Sequence, residues 1–157
     1  MPKPAGESEE KNLAVNRHAR HDYTIEDTFE GGLVLLGTEV KSARAGRVQL
    51  KDAYARVKDG ELWLIGLHIA PYTHAYRDDH EPERRRKVLL HRYEIRRLLG
   101  KTERSGYTLV PLRIYIKGTR IKVELGLGKG KAKSEKKDDL RKRIQEREMR
   151  QEMARRR

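Results

Sequence analysis

From residue 112 to residue 125 apolar and polar positions alternate with a period of two. Leu112, Ile114 and Ile116 alternate with Arg113, Tyr115 and Lys117; after Gly118-Thr119, Ile121, Val123 and Leu125 alternate with Arg120, Lys122 and Glu124. This is the pattern of a half-buried hairpin. A two-residue loop pairs Ile116 with Ile121 and Ile114 with Val123, which puts all the apolar partners on one face. A second hairpin is predicted from Tyr54–Lys58 and Glu61–Ile65 around Asp59-Gly60, a dipeptide that accepts positive φ. Its register pairs Lys58 with Glu61 and Val57 with Leu62.

Elsewhere the spacing is helical. Thr38 is placed to cap a helix through about Ala45, with Gly46 as the residue that ends it. Ile95, Leu98 and Leu99 predict a second helix from about Arg92 to Leu99, stopped by Gly100. Glu94 falls early in it and Arg96-Arg97 late, as the helix dipole favours. Pro71 to Pro82 reads as a long loop, so His80 and the acids Asp78, Asp79 and Glu81 are expected in solvent. Residues 1–12 read as a disordered arm and residues 13–128 as the folded unit. Residues 129–157 have good helix propensity but no single apolar stripe: Leu140 and Ile144 share a face, while Met149 and Met153 fall roughly opposite. That tail is expected to be disordered when free and helical when bound to RNA. The fold class is mostly β, with short strands and embedded short helices suggesting a small closed or partly open antiparallel barrel.

Charge narrows the picture. The chain has 157 residues, about one domain, of which 39% are charged and 36% hydrophobic, with a net charge of +13. Residues 1–12 hold 2 basic and 3 acidic side chains, residues 13–128 hold 22 and 15, and residues 129–157 hold 13 and 6. The segments therefore carry −1, +7 and +7, with the tail the densest. Two separate basic regions point to a polyanion, either nucleic acid or an anionic membrane surface. The polar face of the 112–125 hairpin, with four basic residues and one acid, fits an RNA-facing surface better than ordinary solvated alternation. There is no cysteine, which excludes disulfides and thiolate metal sites. Met1 to Glu10 has no apolar core of a secretory signal, and Leu33–Leu36 and Leu62–Ile65 are too short to span a bilayer. A soluble cytoplasmic protein without membrane contact is expected.

Candidate chemistry is sparse. Gly126-Leu127-Gly128-Lys129-Gly130-Lys131 superficially resembles a phosphate loop, but Ala132 stands where Ser or Thr is needed. These glycines read instead as a flexible exit from the last strand. His18, His21, His68, His74, His80 and His91 lack metal-ligand spacing, and no nucleophile sits beside a base. No cofactor and no enzymatic activity are expected. Glu30 is the acid of interest: amid basic neighbours it can pin Arg or Lys side chains, or accept from an exocyclic amine or 2′-hydroxyl of RNA.

Several separated motifs add a resemblance. They are Asn16-Arg17-His18-Ala19-Arg20-His21-Asp22-Tyr23; the run from Phe29 to Ser42 with Lys41, Arg44 and Arg47; Asp59-Gly60-Glu61; Arg84-Arg85-Arg86-Lys87-Val88-Leu89-Leu90-His91; Leu109-Val110-Pro111-Leu112; and Lys122-Val123-Glu124-Leu125-Gly126. In this order, over roughly residues 13 to 131, the chain resembles the small protein B (SmpB) family, the bacterial partner of transfer-messenger RNA. The resemblance implies an oligonucleotide-binding-like barrel with peripheral helices, acting as a monomer. It would bind the tRNA-like part of transfer-messenger RNA and support delivery to stalled ribosomes, the tail reading the empty messenger channel. It implies that Glu30 and Lys122 belong to the RNA face, with Leu89 packed beside them. The matched motifs supply Asn16, Arg17, Arg20, His21, Tyr23, Lys41, Arg44, Arg86 and Lys87 as further RNA candidates. In the tail, where the match to the family weakens, Lys131, Lys136, Lys137 and Arg141 are the candidate ribosome contacts, with Ile144, one helical turn from Leu140, placed to seat a newly formed helix. Ala132 and Ser134 depart from the family's second lysine and its ring, which removes a stacking group and leaves the phosphate contacts of the lysines. By charge alone, a general basic ribosomal or RNA-chaperone protein also fits.

Overall fold

A computed structural model describes residues 9–72, 79–104, 106–131 and 133–156, the side chains of 133–139 excepted. In chain order the elements are β1 (Glu10–Val15), α1 (Ala19–Asp22), β2 (Tyr23–Leu33), α2 (Gly37–Arg44), β3 (Val48–Gln49), β4 (Tyr54–Lys58), β5 (Glu61–Ile65), β6 (His68–Ile69), β7 (Arg86–Leu89), α3 (Arg92–Thr102), β8 (Tyr107–Lys117), β9 (Arg120–Gly130) and α4 (Lys133–Arg155). The protein is mostly β with short helices. Its main sheet runs β1-β8-β4-β5-β7-β2-β9, and β9 also pairs with β8. The pairings therefore return on themselves through β8, β4, β5, β7, β2 and β9, with β1 added alongside β8. All are antiparallel.

Both predicted hairpins form in the predicted register: Lys58 opposite Glu61 and Val57 opposite Leu62, Ile114 opposite Val123 and Ile116 opposite Ile121. Asp59 and Gly60 take positive φ, 53° and 75°, as a tight turn requires. The alternation fails at Leu112. The β8–β9 register shifts between Pro111 and Arg113, a bulge that turns Leu112 to the other side of the sheet. There it joins Ala19 and Val110, with Tyr23 and Ile25, in a small second cluster. The main core gathers Leu62, Leu64, Val88, Leu109, Ile114, Val123, Leu125 and Leu127, each at most 1% exposed. Full burial of such side chains stabilises by about 1.5–3 kcal/mol each.

α2 starts earlier than predicted and α3 ends later. α2 begins at Gly37, because the Glu39 carboxylate rather than Thr38 receives an orphan N–H, that of Leu36, at 2.9 Å. Gly46 follows α2 with φ 77°, as expected. α3 continues through Gly100 to Thr102, whose hydroxyl donates to the Leu98 carbonyl at 2.9 Å. The glycine run at 126–130 is strand rather than a flexible exit. A Cβ on Gly128 would lie 2.6 Å from the Thr24 carbonyl oxygen, so the close approach of β2 to β9 needs glycine there. Strand pairing also reaches past both ends of the 13–128 unit, to Glu10 in β1 and Gly130 in β9.

A buried polar cluster holds α2 against the sheet. Arg86 and Glu39 are both 0% exposed, and Arg86 Nε donates to Glu39 Oε2 at 2.6 Å. The Arg86 guanidinium also donates to the Leu67 carbonyl at 2.5 Å and the Pro82 carbonyl at 3.0 Å. Arg84 donates to the other Glu39 oxygen at 2.5 Å. His80, expected in solvent, is 5% exposed. Its ring nitrogens lie 2.9 Å from Thr38 Oγ1 and 2.9 Å from the Ile69 carbonyl, which ties α2 to β6. His74 and Asp78 lie outside the described residues.

Candidate nucleic-acid interface

Glu30 stands on the outward side of β2, directly across from Glu124 on β9. Its Oε2 accepts from the Tyr115 hydroxyl on β8, and Lys117 Nζ lies 3.4 Å from both carboxylate oxygens. The Tyr115 hydrogen bond holds the Glu30 carboxyl below the usual carboxylate range; burial opposes it, and Lys117 and Lys122 add to the lowering. Tyr115 is pushed the other way, up from the ordinary phenol value, by burial and by the Glu30 carboxylate. Glu124 is already taken, accepting from Arg113 Nε at 2.6 Å.

Lys122 lies on β9 opposite Gly32, and its ammonium sits 4.0 Å from where a glycine Cβ would stand. Leu89 is beside the same glycine, as a Cβ there would be 3.6 Å from Leu89 Cβ. It does not pack inward as expected but is 55% exposed. Glu30, Lys122 and Leu89 thus share one outward surface.

The polar face of the 112–125 hairpin is less free than its sequence suggests. Arg113 also reaches Glu10 at 3.0 Å and Asn12 at 2.9 Å. Burial disfavours its charge, but Glu124 and Glu10 outweigh that and raise its pKa. Tyr115 is 1% exposed under the Arg113 guanidinium, whose carbon lies 3.9 Å from the ring centroid. Lys117, Arg120 and Lys122 remain at least partly exposed.

Arg86, expected on the RNA face, instead has no exposed surface and is paired with the buried Glu39 carboxylate, so in this structure it supports the fold. Burial pulls its pKa down, and the Glu39 bond partly restores it. Lys87, its neighbour, faces outward but pairs with Glu61 at 2.9 Å. Asn16 is engaged in the fold, its amide nitrogen donating to the Pro111 carbonyl at 3.0 Å and its backbone N–H to Leu112 at 2.8 Å. His21 Nδ1 lies 3.2 Å from Asp22, and Tyr23 packs on the second cluster. Arg17 and Arg20 are exposed and line one groove with Val15, Arg113 and the tail's Arg143. Lys41 and Arg44 are exposed on α2, Lys41 lying 5.3 Å from the Tyr72 ring centroid.

In the tail, Lys131 docks on α1. Its backbone N–H donates to Asp22 at 2.8 Å and its ammonium to the Arg20 carbonyl at 2.9 Å. Arg141 is exposed on α4, as is Ile144, at 48%. The side chains of Lys136 and Lys137 lie outside the described residues. The link from Tyr115 to Glu30 has no sequence signal, because β8 and β2 are not paired and β9 lies between them. The burial of Arg86 has one: two residues before buried Val88, the arginine shares its inward parity.

Among the described residues no group of histidines and carboxylates could hold a metal ion, and no helix is long and apolar enough to cross a membrane. What the arrangement offers is a spread of cations around two fixed carboxylates, Glu30 and Glu124, on a mostly β scaffold, the chemistry of a polyanion-binding class of protein. The chain belongs to the SmpB family: the family model described as SmpB protein matches residues 13–155. It is 55% identical over 140 residues to the SsrA-binding protein of Desulforudis audaxviator, covering 89% of this chain and 92% of that one. To the SsrA-binding protein of Geobacillus thermodenitrificans it is 53% identical over 149 residues, covering 95% and 94%. A chain from the solved structure called "tmRNA-SmpB: a journey to the center of the bacterial ribosome" is similar at a TM-score of 0.66 and 50% identity, over 82% of this chain and 94% of that one.

Proposed function

We propose that this chain is a non-enzymatic RNA-binding adaptor of trans-translation. It binds the tRNA-like part of transfer-messenger RNA and supports its delivery to stalled ribosomes in the cytoplasm, as a monomer. The observation that carries this is the Glu30 constellation. A carboxylate kept ionised and partly exposed, with Lys117 and Lys122 beside it, is a poor site for phosphate alone and a good one for a hydrogen-bond donor flanked by phosphates. Membership of a family whose relatives are called SsrA-binding proteins supports the same RNA.

The closed circuit of strands acts as an oligonucleotide-binding-like barrel, the unit assigned to residues 13–128. Glu30 and Lys122 supply its selective contacts, while exposed Arg17, Arg20, Lys41 and Arg44 supply phosphate contacts for the RNA or the ribosome. Residues 129–157 act as a separate tail. α4 is 23 residues long, and from residue 140 onward its side chains are exposed, including Leu140 at 50% and Ile144 at 48%. A helix polar nearly all round gains little from the barrel and is marginal alone. It would gain its stability from the ribosomal RNA that lines the empty messenger channel, through Lys131, Lys136, Lys137 and Arg141 with Ile144.

Affinity purification of the full chain from cells, followed by sequencing of the bound RNA, tests the assignment. One dominant transfer-messenger RNA is the expected result. A profile that mirrors bulk ribosomal RNA would establish the general basic RNA-binding alternative instead.

A further inference from the structure

Tyr115 faces outward with Lys122, its direct cross-strand partner, yet it is 1% exposed. Charged groups cover it: the Arg113 guanidinium lies on its ring, and the hydroxyl donates to Glu30. Because β9 lies between β8 and β2, the side chain spans a whole strand to make that bond. Arg113 is itself fixed by Glu124, Glu10 and Asn12. A glutamate without such a partner has three side-chain torsions to order on binding and can fold down onto a neighbouring lysine. Here the Tyr115 hydroxyl holds Oε2 and Lys117 donates to both oxygens at a long 3.4 Å, while the side chain stays 37% exposed and keeps acceptor sites open. An ionised carboxylate has about four acceptor sites and no donor. The sites left open repel phosphate and suit an N–H or O–H group.

We propose that Tyr115 is the positioning residue for Glu30: without touching RNA, its hydroxyl anchors Oε2 so that the remaining acceptor sites meet a base amino, base imino or 2′-hydroxyl donor of the bound RNA. This rests on the assignment of Glu30 to the RNA surface. The groups facing Glu30 are Tyr115 and Lys117 from β8, and Lys122 and Glu124 from β9. Glu124 is itself held by Arg113. Loss of the Tyr115 hydroxyl therefore removes the one neutral donor of the set and leaves the lysines in place.

The test is a titration of a transcript of the tRNA-like part of transfer-messenger RNA with the full chain and with Tyr115→Phe, Glu30→Gln, Glu30→Asp and the Tyr115→Phe/Glu30→Gln double variant. Tyr115→Phe keeps the ring under Arg113 and is expected to bind roughly three- to tenfold more weakly, the scale of one hydrogen bond. The double variant should bind no more weakly than Glu30→Gln alone. As pH falls, Tyr115→Phe should lose affinity at a higher pH than the parent, because the hydroxyl no longer favours the ionised carboxylate, and Glu30→Gln should lack this step. Glu30→Asp keeps the charge but falls a methylene short of the hydroxyl, so it should be weakened as well. It carries the test if Tyr115→Phe lacks the parent's thermal transition. Parent-like binding by Glu30→Gln would overturn the RNA assignment and the proposal with it. Weak binding by Glu30→Gln with parent-like binding by folded Tyr115→Phe, or by Glu30→Asp, would overturn the positioning role alone, as would fully additive losses in the double variant.

Discussion

Arg86 and Glu39 lie 47 residues apart in sequence and meet with no solvent between them, Nε to Oε2 at 2.6 Å. Removing one partner strands a charge in the core. Glu39→Gln or Arg86→Met is expected to destabilise the fold by about 3–5 kcal/mol, the cost of breaking a buried pair from one side. The denaturant midpoint measures it, and a loss under about 1 kcal/mol would show that the charges are solvated after all. RNA affinity of either variant, measured where it is folded, should match the parent.

The same pair makes stability depend on pH. Burial pushes the Glu39 carboxyl up, but the bonds from Arg84, the Leu36 N–H and Arg86 outweigh it and hold the group below its ordinary value. A carboxyl whose folded value is lowered stabilises fully above the unfolded value, and the benefit is lost as pH falls through the lowered one. Acid unfolding curves of the parent should therefore carry a step below the usual carboxylate range that Glu39→Gln lacks.

A glycine in β9 supplies a sharper test of packing. Gly128→Ala places a methyl 2.6 Å from the Thr24 carbonyl oxygen, whereas the same methyl at Gly130 meets nothing within 4 Å. The first should cost about 1–3 kcal/mol through forced separation of β2 and β9, and the second close to nothing. Thermal melts of the two variants side by side decide it. Equal melting temperatures would remove the close approach from the account.

Binding to RNA should weaken steeply with salt. Many of the 22 basic residues in 13–128 are already paired within the fold, Arg84, Arg86, Lys87 and Arg113 among them. If about 4–6 reach phosphate, log K falls against log salt with a slope of roughly −3 to −5. A slope near zero contradicts the phosphate contacts.

The two tight-turn hairpins were legible from local pattern, whereas the Thr38 cap, the Gly100 stop and the flexible glycine exit were local expectations that the packing overrode. A two-residue turn sets its own register, so Val57–Leu62 and Ile116–Ile121 followed from alternation alone. Leu112 did not, because one extra residue at a bulge reverses parity and nothing nearby announces it. His80 sits in a stretch of acids and prolines, and only the arrival of Thr38 and Ile69 buries it. Gly100 looked like a stop, but its cost in a helix interior is only about 1 kcal/mol, which the packing of Ile95 and Leu98 exceeds. On the candidate surface, Glu30 stood out as an acid among bases. The grip of Tyr115 on it is a property of sheet order, which no local pattern encodes.

Separating the tail requires a cut at the right place. A chain ending at Gly128 would lose the pairing of Thr24 with Lys129 and of Tyr23 with Gly130, and the bond from Lys131 to Asp22. A chain ending at Lys131 keeps them. That chain should keep its thermal transition and most of its RNA affinity, yet fail to support tagging on stalled ribosomes. Full tagging activity without residues 132–157 would overturn the role given to the tail.

The return of the strand circuit has a consequence for how the protein is made. β2 is complete by Leu33, but its long partner β9 begins only at Arg120. Through the synthesis of everything between them, β2 has an unsatisfied edge, and contacts this distant in sequence form slowly. Synthesis halted before β9 therefore leaves not a smaller version of the protein but an open sheet with exposed edges, prone to pair with other chains. A protein proposed to support the rescue of stalled synthesis would thus, when its own synthesis stalls, expose the kind of open edge that invites aggregation.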